Sequence, residues 1–537
     1  MRYVLFVTIL LLAFTEAAAQ EDAVLRAVLF LSGAASEEEL DEYWLSRLEA
    51  RQGHPVRING TQRSCDGLLS SYQLASLSDY RSRSGDIRSW EELSLVDGFS
   101  REWVSVMRPF LSLAPSSLPA PDDSARIRVH ALARGTLSGV GVKARAEGSW
   151  WRAGAAWRYP KDGTFYAEAH PGRHRILLGD YNIRFGQGLT FWSGFSLSSL
   201  STTDAFIRRA TALSPAWSYS SSGLYRGVAY EYTSTRWRAM AFGALSGMAG
   251  AYAEWTGRHG QAGFTAAWQN GTGIVLSADS RWNLRGGDLA AEVGFQRGSA
   301  AALLAFRQVT GAFTLALQGR AVPSAFSGKK NGEYALAAGA LFRSGYAAPM
   351  HRASVTLDAA LLPIPGTEGG AGRFQLRAYA QWLWQMSQPW GLELRFTERY
   401  RSFEASRTDL RCDLKYAGGP WTGALRFEGV FCNGWGALSY LETGYTAGIK
   451  SEYRMFLRLT AFWIDRWDAR IYCYERDAPG TFSVPAYYGR GFQASAVCSW
   501  KKRLGRCSLK AYLRGGWMVR AGRTPSPTLN VQLHFDY

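Results

Sequence analysis

A recurring alternation of apolar and polar residues from Ala125 to Tyr537 limits the fold of this chain more than any other feature. Successive side chains of a β-strand point to opposite faces, so the pattern predicts strands with one apolar and one polar face. In the final strand one face carries Leu529, Val531, Leu533, Phe535 and Tyr537, and the other carries Asn530, Gln532, His534 and Asp536. After Phe14 the sequence has no run of about 18 apolar residues, so any crossing of a membrane must use strands.

The alternation recurs in about 24 segments that are separated by turn residues, a number within the range of outer-membrane barrels. The chain holds 21 Trp and 26 Tyr, many near the predicted strand ends, as in aromatic girdles. A soluble β-sandwich is the alternative, but it does not need so many aromatic residues. A closed barrel leaves no backbone group unpaired in lipid. We therefore predict an all-β transmembrane antiparallel barrel of about 24 strands over residues 125–537, preceded by a small all-α domain.

The first 19 residues have the features of a signal peptide. Arg2 provides the charge, Val4 to Phe14 forms the apolar segment, and Ala17 to Ala19 supplies the small residues at the cleavage site. The apolar segment is too short to span a bilayer. A final strand that ends on an aromatic residue resembles the assembly signal of outer-membrane barrels. The expected location is therefore the bacterial outer membrane.

Residues 20–111 have the pattern of a helical domain, which we expect in the periplasm. Ser36 and Ser89 are each followed three residues later by Glu, and Ser100 can begin a further helix that stops near Pro109. Gly85 is suited to end the helix before it. Prolines among Ser and Ala then predict a linker over residues 112–124.

Within this domain, Leu68 to Leu111 resembles a helix-hairpin-helix module of competence DNA-uptake proteins. The matching stretches are LLSSYQLASLSDYRSRSGDIRSWEEL and LSLVDGFSREWVSVMRPFL. The resemblance implies that backbone N–H groups of a Gly-x-Gly hairpin receive a DNA phosphate, as helix N-termini can. The candidate phosphate contacts are Gly98, Phe99, Ser100 and Arg101. One hairpin glycine is missing here, and Asp97 stands beside the other.

The charge divides unevenly between the two regions. Residues 20–123 carry 10 Arg, no Lys and 17 Asp or Glu, a net of −7, whereas residues 124–537 carry a net of +24. DNA affinity depends on basic groups, so the acidic domain disfavours nucleic acid and favours docking to a periplasmic protein or to the barrel. The basic barrel is expected to meet lipid and lipopolysaccharide outside and to favour anions inside.

One segment near residues 184–223 breaks the alternation. It is too long for an ordinary connection, and its aromatic residues predict packing rather than disorder. We predict that it folds into the barrel; an external surface loop is the alternative. The candidate pore-lining residues are Arg184, Gln187, Arg208, Arg209 and Arg226.

Three motifs carry a further resemblance: GDYNIRFGQGLTFW, YRGVAYEY, and FSVPAYYG at 482–489. They resemble an uncharacterised family of bacterial outer-membrane proteins that join a helix-hairpin-helix region to a large barrel. The resemblance covers nearly the whole mature chain and implies this architecture, but no reaction.

The sequence offers little for catalysis or cofactor binding. The six Cys match no metal-ligand spacing, and His170 and His174 flank Pro171 rather than sharing a helix face. No Gly-x-Ser-x-Gly or P-loop motif occurs. Cys498 and Cys507 could form a disulfide across a tight turn at Lys502-Arg503. We therefore expect no enzyme, no cofactor and no metal.

Three functions remain open from the sequence. The first is a porin-like, anion-favouring channel or transport conduit with a periplasmic docking or gating domain. The second is a protein that binds or takes up DNA, and the third is a structural anchor for a periplasmic complex.

Overall fold

The computed structural model describes most of the chain. It covers residues 23–31, 44, 48, 51, 55–60, 68–118, 127–193, 206–208, 210–284, 287–323, 325–326, 338–348, 350–362, 373–448, 451–479, 481, 483–505 and 507–537. The predicted signal peptide, the Ser36 capping box and Arg209 lie outside these residues, as does much of the predicted linker. Among the described residues no helix is long and apolar enough to cross a bilayer.

The N-terminal region is a small helical domain. Helix α1 covers residues 23–31. The other elements are β1 (Val56–Arg57), α2 (Ser71–Ser84), α3 (Trp90–Leu93), α4 (Arg101–Met107), a 3-10 turn (Arg108–Phe110) and β2 (Leu111–Ser112), and β1 pairs with β2 in parallel. Gly85 ends α2 with a φ of 79°, and the Ser100 hydroxyl accepts the Trp103 N–H, so both predicted helix boundaries are confirmed.

Twenty-four antiparallel strands then close into one barrel, as predicted. The first half consists of β3 (Arg128–Thr136), β4 (Gly139–Glu147), β5 (Trp151–Arg158), β6 (Lys161–Ala169), β7 (His174–Arg184), β9 (Tyr225–Thr233), β10 (Trp237–Ala244), β11 (Met248–Thr256), β12 (Gly260–Gln269), β13 (Gly273–Leu284), β14 (Gly287–Gln296) and β15 (Ser299–Thr310). The second half consists of β16 (Phe313–Ala321), β17 (Ala338–Ala347), β18 (His351–Leu362), β19 (Arg373–Gln385), β20 (Trp390–Arg401), β21 (Glu404–Gly418), β22 (Trp421–Phe431), β23 (Trp435–Ala447), β24 (Ser451–Ile464), β27 (Gly489–Leu504), β28 (Cys507–Arg520) and β29 (Ser526–Asp536). The pairing of β29 with β3 closes the ring.

Between β3 and β29, three short strands lie outside this count. They are β8 (Ala212–Pro215), β25 (Ile471–Tyr472) and β26 (Ala486–Tyr487). Strand β7 pairs directly with β9 to continue the wall, and β8 pairs only with the end of β7. Strands β25 and β26 pair with each other.

The alternation sorts the side chains as the sequence predicts. On β29 the apolar set is exposed on the outer surface, with Leu533 48% exposed, whereas Gln532 on the other face is fully buried. The outer surface is therefore apolar along the strands and the interior is polar, the arrangement of a barrel in lipid around a hydrated lumen.

The two ends of the barrel differ. At the end where the helical domain joins β3, the connections between strands are two to four residues long; we call this the turn end. The opposite end, the loop end, carries four long connections: residues 185–224, 322–337, 363–372 and 465–488. The described parts of residues 185–224 and 465–488 contribute side chains and backbone to the lumen, and we call these two connections the first insert and the second insert.

The predicted disulfide between Cys498 and Cys507 is wrong. Both are free thiols, and the register places Cys498 opposite Leu513 and Cys507 opposite Leu504. The turn lies at Gly505, whose φ of 62° favours glycine, and not at Lys502-Arg503. This shift of the turn separates the two sulfurs by about six residues, roughly 20 Å along the strands.

Candidate functional site: the lumen and its two inserts

The first insert begins with a tight turn that surrounds a carboxylate of the barrel wall. Strand β14 directs Glu292 into the lumen, where it is 1% exposed. The backbone N–H groups of Gln187 and Leu189 donate to this carboxylate at 2.7 and 3.0 Å, and Thr190 adds its own N–H at 3.3 Å. The hydroxyl of Ser277 on β13 donates at 2.9 Å. One buried side chain of the wall therefore fixes the backbone of the whole turn.

Two glycines allow this turn to form. Gly186 and Gly188 have φ angles of 53° and 81°, in the left-handed region. A Cβ on Gly186 would lie 2.8 Å from a carboxylate oxygen of Glu292, so only glycine permits this close approach. The Phe-Gly-Gln-Gly segment of the first motif is thus the part that contacts the wall.

Apolar and aromatic contacts complete the packing of the first insert. The ring of Phe185 stacks on Tyr252 of β11 with centroids 4.3 Å apart. Farther along the insert, Phe206 is fully buried with Leu341 and Tyr379 of the wall. These contacts extend from β11 to β19.

The same insert also reaches the opposite part of the wall. The backbone carbonyl of Trp217 accepts a hydrogen bond from the Lys143 ammonium on β4 at 3.1 Å. Thr164 of β6 donates its hydroxyl to the Ser218 carbonyl at 2.8 Å. The Tyr219 ring lies 4.5 Å from the Lys143 ammonium. The described parts of the insert therefore contact both sides of the lumen.

The second insert is held by charged groups and by an apolar cluster in which Ile471 and Tyr487 are fully buried against Phe462 of β24. Arg514 of β28 forms ion pairs with Glu475 and with Asp477, the latter at 2.8 Å. Glu442 of β23 accepts from Arg476 of the insert at 2.7 Å. Four of the five charged side chains are less than 10% exposed, and the fifth, Arg476, is 34% exposed.

Further contacts connect this insert to the C-terminal strands. Tyr487 donates its hydroxyl to Glu475 at 2.5 Å, and Gln493 of β27 donates to the same carboxylate at 2.6 Å. Asn530 of β29 donates to Asp477 at 2.7 Å. The third sequence motif, of which Gly489 is the last residue, therefore lies in and beside the second insert; its Phe482 lies outside the described residues.

The predicted pore-lining residues divide into two groups. Arg184, Gln187 and Arg208 come together around Trp192. The Gln187 side-chain oxygen accepts the backbone N–H of Arg208 at 2.8 Å, and the guanidinium groups of both arginines lie over the Trp192 ring. These three side chains are less than 10% exposed. Arg226 lies apart on β9, where it donates to Asp180 at 2.8 and 3.0 Å.

Nothing in the sequence alone singled out Glu292, Arg514 or Glu475. Their partners are distant in the chain; Glu292 and Gln187 are 105 residues apart. The sequence features that could have indicated the second insert were the length of the connection between β24 and β27 and the third motif.

The polar face of the wall is dominated by arginine. Seven buried carboxylates of the wall each lie within 4 Å of two basic side chains: Glu168, Glu231, Asp288, Asp358, Glu393, Asp413 and Glu442. The stretch from β11 to β14 differs, because Glu254, Asp279 and Glu292 are close together there. The turn of the first insert covers this acidic stretch. No cluster of metal ligands occurs among the described residues.

The helical domain contacts the turn end of the barrel. The Tyr72 hydroxyl donates to the Arg258 carbonyl at 3.1 Å, and Asp79 lies 4.0 Å from Arg236. Burial at this contact raises the pKa of Tyr72. The acidic domain thus meets basic residues of two short turns.

Two of the four candidate phosphate contacts, Phe99 and Ser100, use their polar groups within the domain. The Phe99 N–H donates to the Val96 carbonyl at 3.0 Å, and the Phe99 ring is buried. The Gly98 carbonyl accepts from Gln73 at 2.8 Å, and the Ser100 hydroxyl caps α4. Arg101 is exposed. With the net charge of −7, this geometry does not favour DNA.

The barrel is similar in fold to solved outer-membrane structures. A chain in the cryo-EM structure of the E. coli P pilus tip assembly intermediate PapC-PapD-PapK-PapG matches 78% of this chain, with 61% of that chain covered, at 12% identity and a TM-score of 0.45. The FrpB iron transporter from Neisseria meningitidis matches 76%, with 82% of its own chain covered, at 8% identity and a TM-score of 0.39. Pseudomonas aeruginosa OprD matches 76%, with 93% of its own chain covered, at 8% identity and a TM-score of 0.32.

These similarities concern the barrel fold alone. The chain spans about three-fifths of the first of these structures. No family model matches the chain, and neither does any curated protein.

Proposed function

We propose that this chain is an outer-membrane conduit that favours anions and that is closed, in the state described, by its two inserts. The observation that carries the proposal is the way the inserts are held: buried polar and apolar contacts attach them to strands on several sides of the lumen. The first insert contacts strands from β4 to β19 and the second contacts strands from β23 to β29. A barrel that served only as an anchor would not require two segments folded into its lumen.

The excess of arginine supports a preference for anions. The seven buried carboxylates named above face thirteen Arg and Lys side chains, because Arg175 pairs with both Glu168 and Glu231, so positive charge remains after these ion pairs are counted. A low-dielectric wall strengthens this field within the lumen. When the first insert stays over the acidic stretch of β11 to β14, an anion meets mainly the basic part.

The difference between the two ends supports an orientation. Outer-membrane barrels have short turns on the periplasmic side and longer loops outside. We therefore assign the turn end, with its helical domain, to the periplasm and the loop end to the exterior. In this orientation the helical domain lies where a periplasmic protein partner could dock and act on the conduit.

Conductance in a planar bilayer tests the proposal. The wild-type chain should show little current, whereas a variant that combines Glu292→Ala with Arg514→Ala should conduct steadily, with a reversal potential in a salt gradient that indicates anions. Arg523→Ala, which changes an exposed turn residue, is the control and should behave as the wild type.

The opposite result has a clear meaning. If the double variant migrates as a folded barrel but passes no current, with and without the helical domain, the chain is not a conduit. The structural-anchor hypothesis then replaces the proposal. A cation-selective current would retain the conduit but reject the role assigned to the arginines.

A further inference from the structure

The outer surface of the barrel has a concave region that the lumen does not explain. A groove of about 1210 Å³ runs across the strands from β18 to β27. Its large apolar side chains belong to the outer face, since Phe427 is 56% exposed and Phe492 is 71% exposed. The volume exceeds the range of about 300–1,000 Å³ that is usual for sites of drug-sized ligands. The groove therefore suits a large apolar ligand.

Small side chains form the floor of this groove and large ones form its sides. Neighbouring strands place Ala380, Cys412, Gly429, Ala437 and Ala461 on the outer face of the wall. The sides are formed by Trp382, Leu394, Phe396, Leu410, Phe427, Trp463 and Phe492. A Cβ on Gly429 would meet nothing within 4 Å, so the floor is open at this point.

One end of the groove carries positive charge at the loop end of the barrel. Arg490, the second residue of β27, is exposed and lies 3.8 Å from the centre of the Trp463 ring. Arg466 and Arg523, both exposed, lie on the loop-end connections before β27 and after β28. Two carboxylates, Asp465 and Asp468, share this rim, and Asp465 accepts the Trp463 indole N–H at 3.2 Å. The rim retains an excess of arginine.

We propose that this groove binds the lipid part of lipopolysaccharide, with its phosphate at Arg490 and its acyl chains along the floor. The inference rests on the proposed orientation, which places the loop end in the outer leaflet, but it does not depend on conduction. Guanidinium groups form paired hydrogen bonds with phosphate. The groove beside them has room for several acyl chains of one lipid molecule. A phospholipid offers the same phosphate with fewer chains, and a second copy of this chain offers no phosphate.

Native mass spectrometry of the full chain in mild detergent tests the site. The probes are a bis-phosphorylated hexa-acyl lipid A and phosphatidylglycerol, added separately. The wild type should retain one lipid A and bind phosphatidylglycerol at least tenfold more weakly. Arg490→Glu should weaken lipid A binding tenfold or more, and Gly429→Leu should abolish it by filling the floor.

Gly135→Leu is the matched control. Gly135 also faces outward, on β3, and a Cβ there meets nothing within 4 Å, but it lies outside the groove. Its lipid A binding should equal that of the wild type, and all variants should show the same heat-dependent shift in gel mobility that marks a folded barrel.

Three results would overturn the proposal. Equal retention of lipid A by wild type and Gly429→Leu would exclude the groove, and equal binding of phosphatidylglycerol would exclude the lipid A assignment. A dimer that Gly429→Leu abolishes, without bound lipid, would assign the groove to a second copy. If Gly429→Leu fails to fold, unchanged lipid A binding by Arg490→Glu decides against the site. Because no outcome involves current, failure here leaves the conduit proposal to its own test.

Discussion

The two inserts enter the lumen from the same end but are held by different physical means. The first is fixed by backbone N–H groups that converge on Glu292 and by aromatic packing, as on Tyr252. The second shares the apolar packing, around Ile471 and Tyr487, but its polar contacts are ion pairs such as Arg514 with Asp477. A backbone turn needs one conformation, which Gly186 and Gly188 allow, whereas an ion pair needs only two side chains within reach. The first insert should therefore be sensitive to backbone changes and the second to changes of charge.

Removal of Arg514 should have the largest effect. Arg514→Ala leaves the buried carboxylates of Glu475 and Asp477 without their main cation, a loss of about 3–5 kcal/mol for a buried pair. The free energy of opening of residues 471–487, measured by hydrogen exchange in detergent, should fall by that amount, while the first insert stays protected. Arg238→Ala is the control, because it breaks a buried pair with Glu231 inside the wall. Equal deprotection of the second insert in both variants would refute the local role of Arg514.

Neutralising Glu292 should have the next largest effect. Glu292→Gln keeps one acceptor oxygen but loses the charge that strengthens three backbone hydrogen bonds, so we expect a loss of about 1.5–3 kcal/mol. Exchange at residues 185–193 should accelerate and the second insert should not change. Glu254→Gln, which neutralises a neighbouring buried acid bonded to Tyr252 of its own strand, is the control. Unchanged exchange in the first insert would show that aromatic packing alone holds it.

The same contrast explains how far the sequence could predict this structure. The alternation in β24 and β29 predicted which residues face outward, because the period of a strand is local. Likewise, the break in alternation after Arg184 coincides with the end of β7, where the first insert begins. Glu292 and Arg514 could not be found in this way, since each meets its partners only after distant strands take their places in the ring. The disulfide prediction was wrong for a related reason: a shift of the turn to Gly505 changed every pairing between β27 and β28.

A backbone substitution should produce a smaller effect, limited to the first insert. Gly188 has a φ of 81°, and a Cβ there would lie 2.8 Å from the Trp192 ring. Gly188→Ala should cost about 1–3 kcal/mol from strain, with an added steric term. Gly223→Ala is the control, because its φ of 74° gives the same strain and its Cβ meets nothing within 4 Å. Hydrogen exchange at residues 185–193 should be faster in Gly188→Ala than in Gly223→Ala. Equal exchange rates in the two variants would mean that Trp192 does not help to fix the turn.

The smallest effect should come from salt, and it should separate buried from exposed ion pairs. Asp79 and Arg236, between the helical domain and the barrel, are 34% and 56% exposed, so their attraction contributes about 0–1 kcal/mol and is screened by salt. Raising the salt concentration should increase proteolysis in residues 112–124 by a few-fold at most, and Asp79→Asn should remove this dependence. The buried pairs of the second insert should keep their protection from exchange over the same range. If cleavage is the same at low and high salt, the charges do not hold the helical domain on the barrel, and the contact depends on Tyr72 and its neighbours instead.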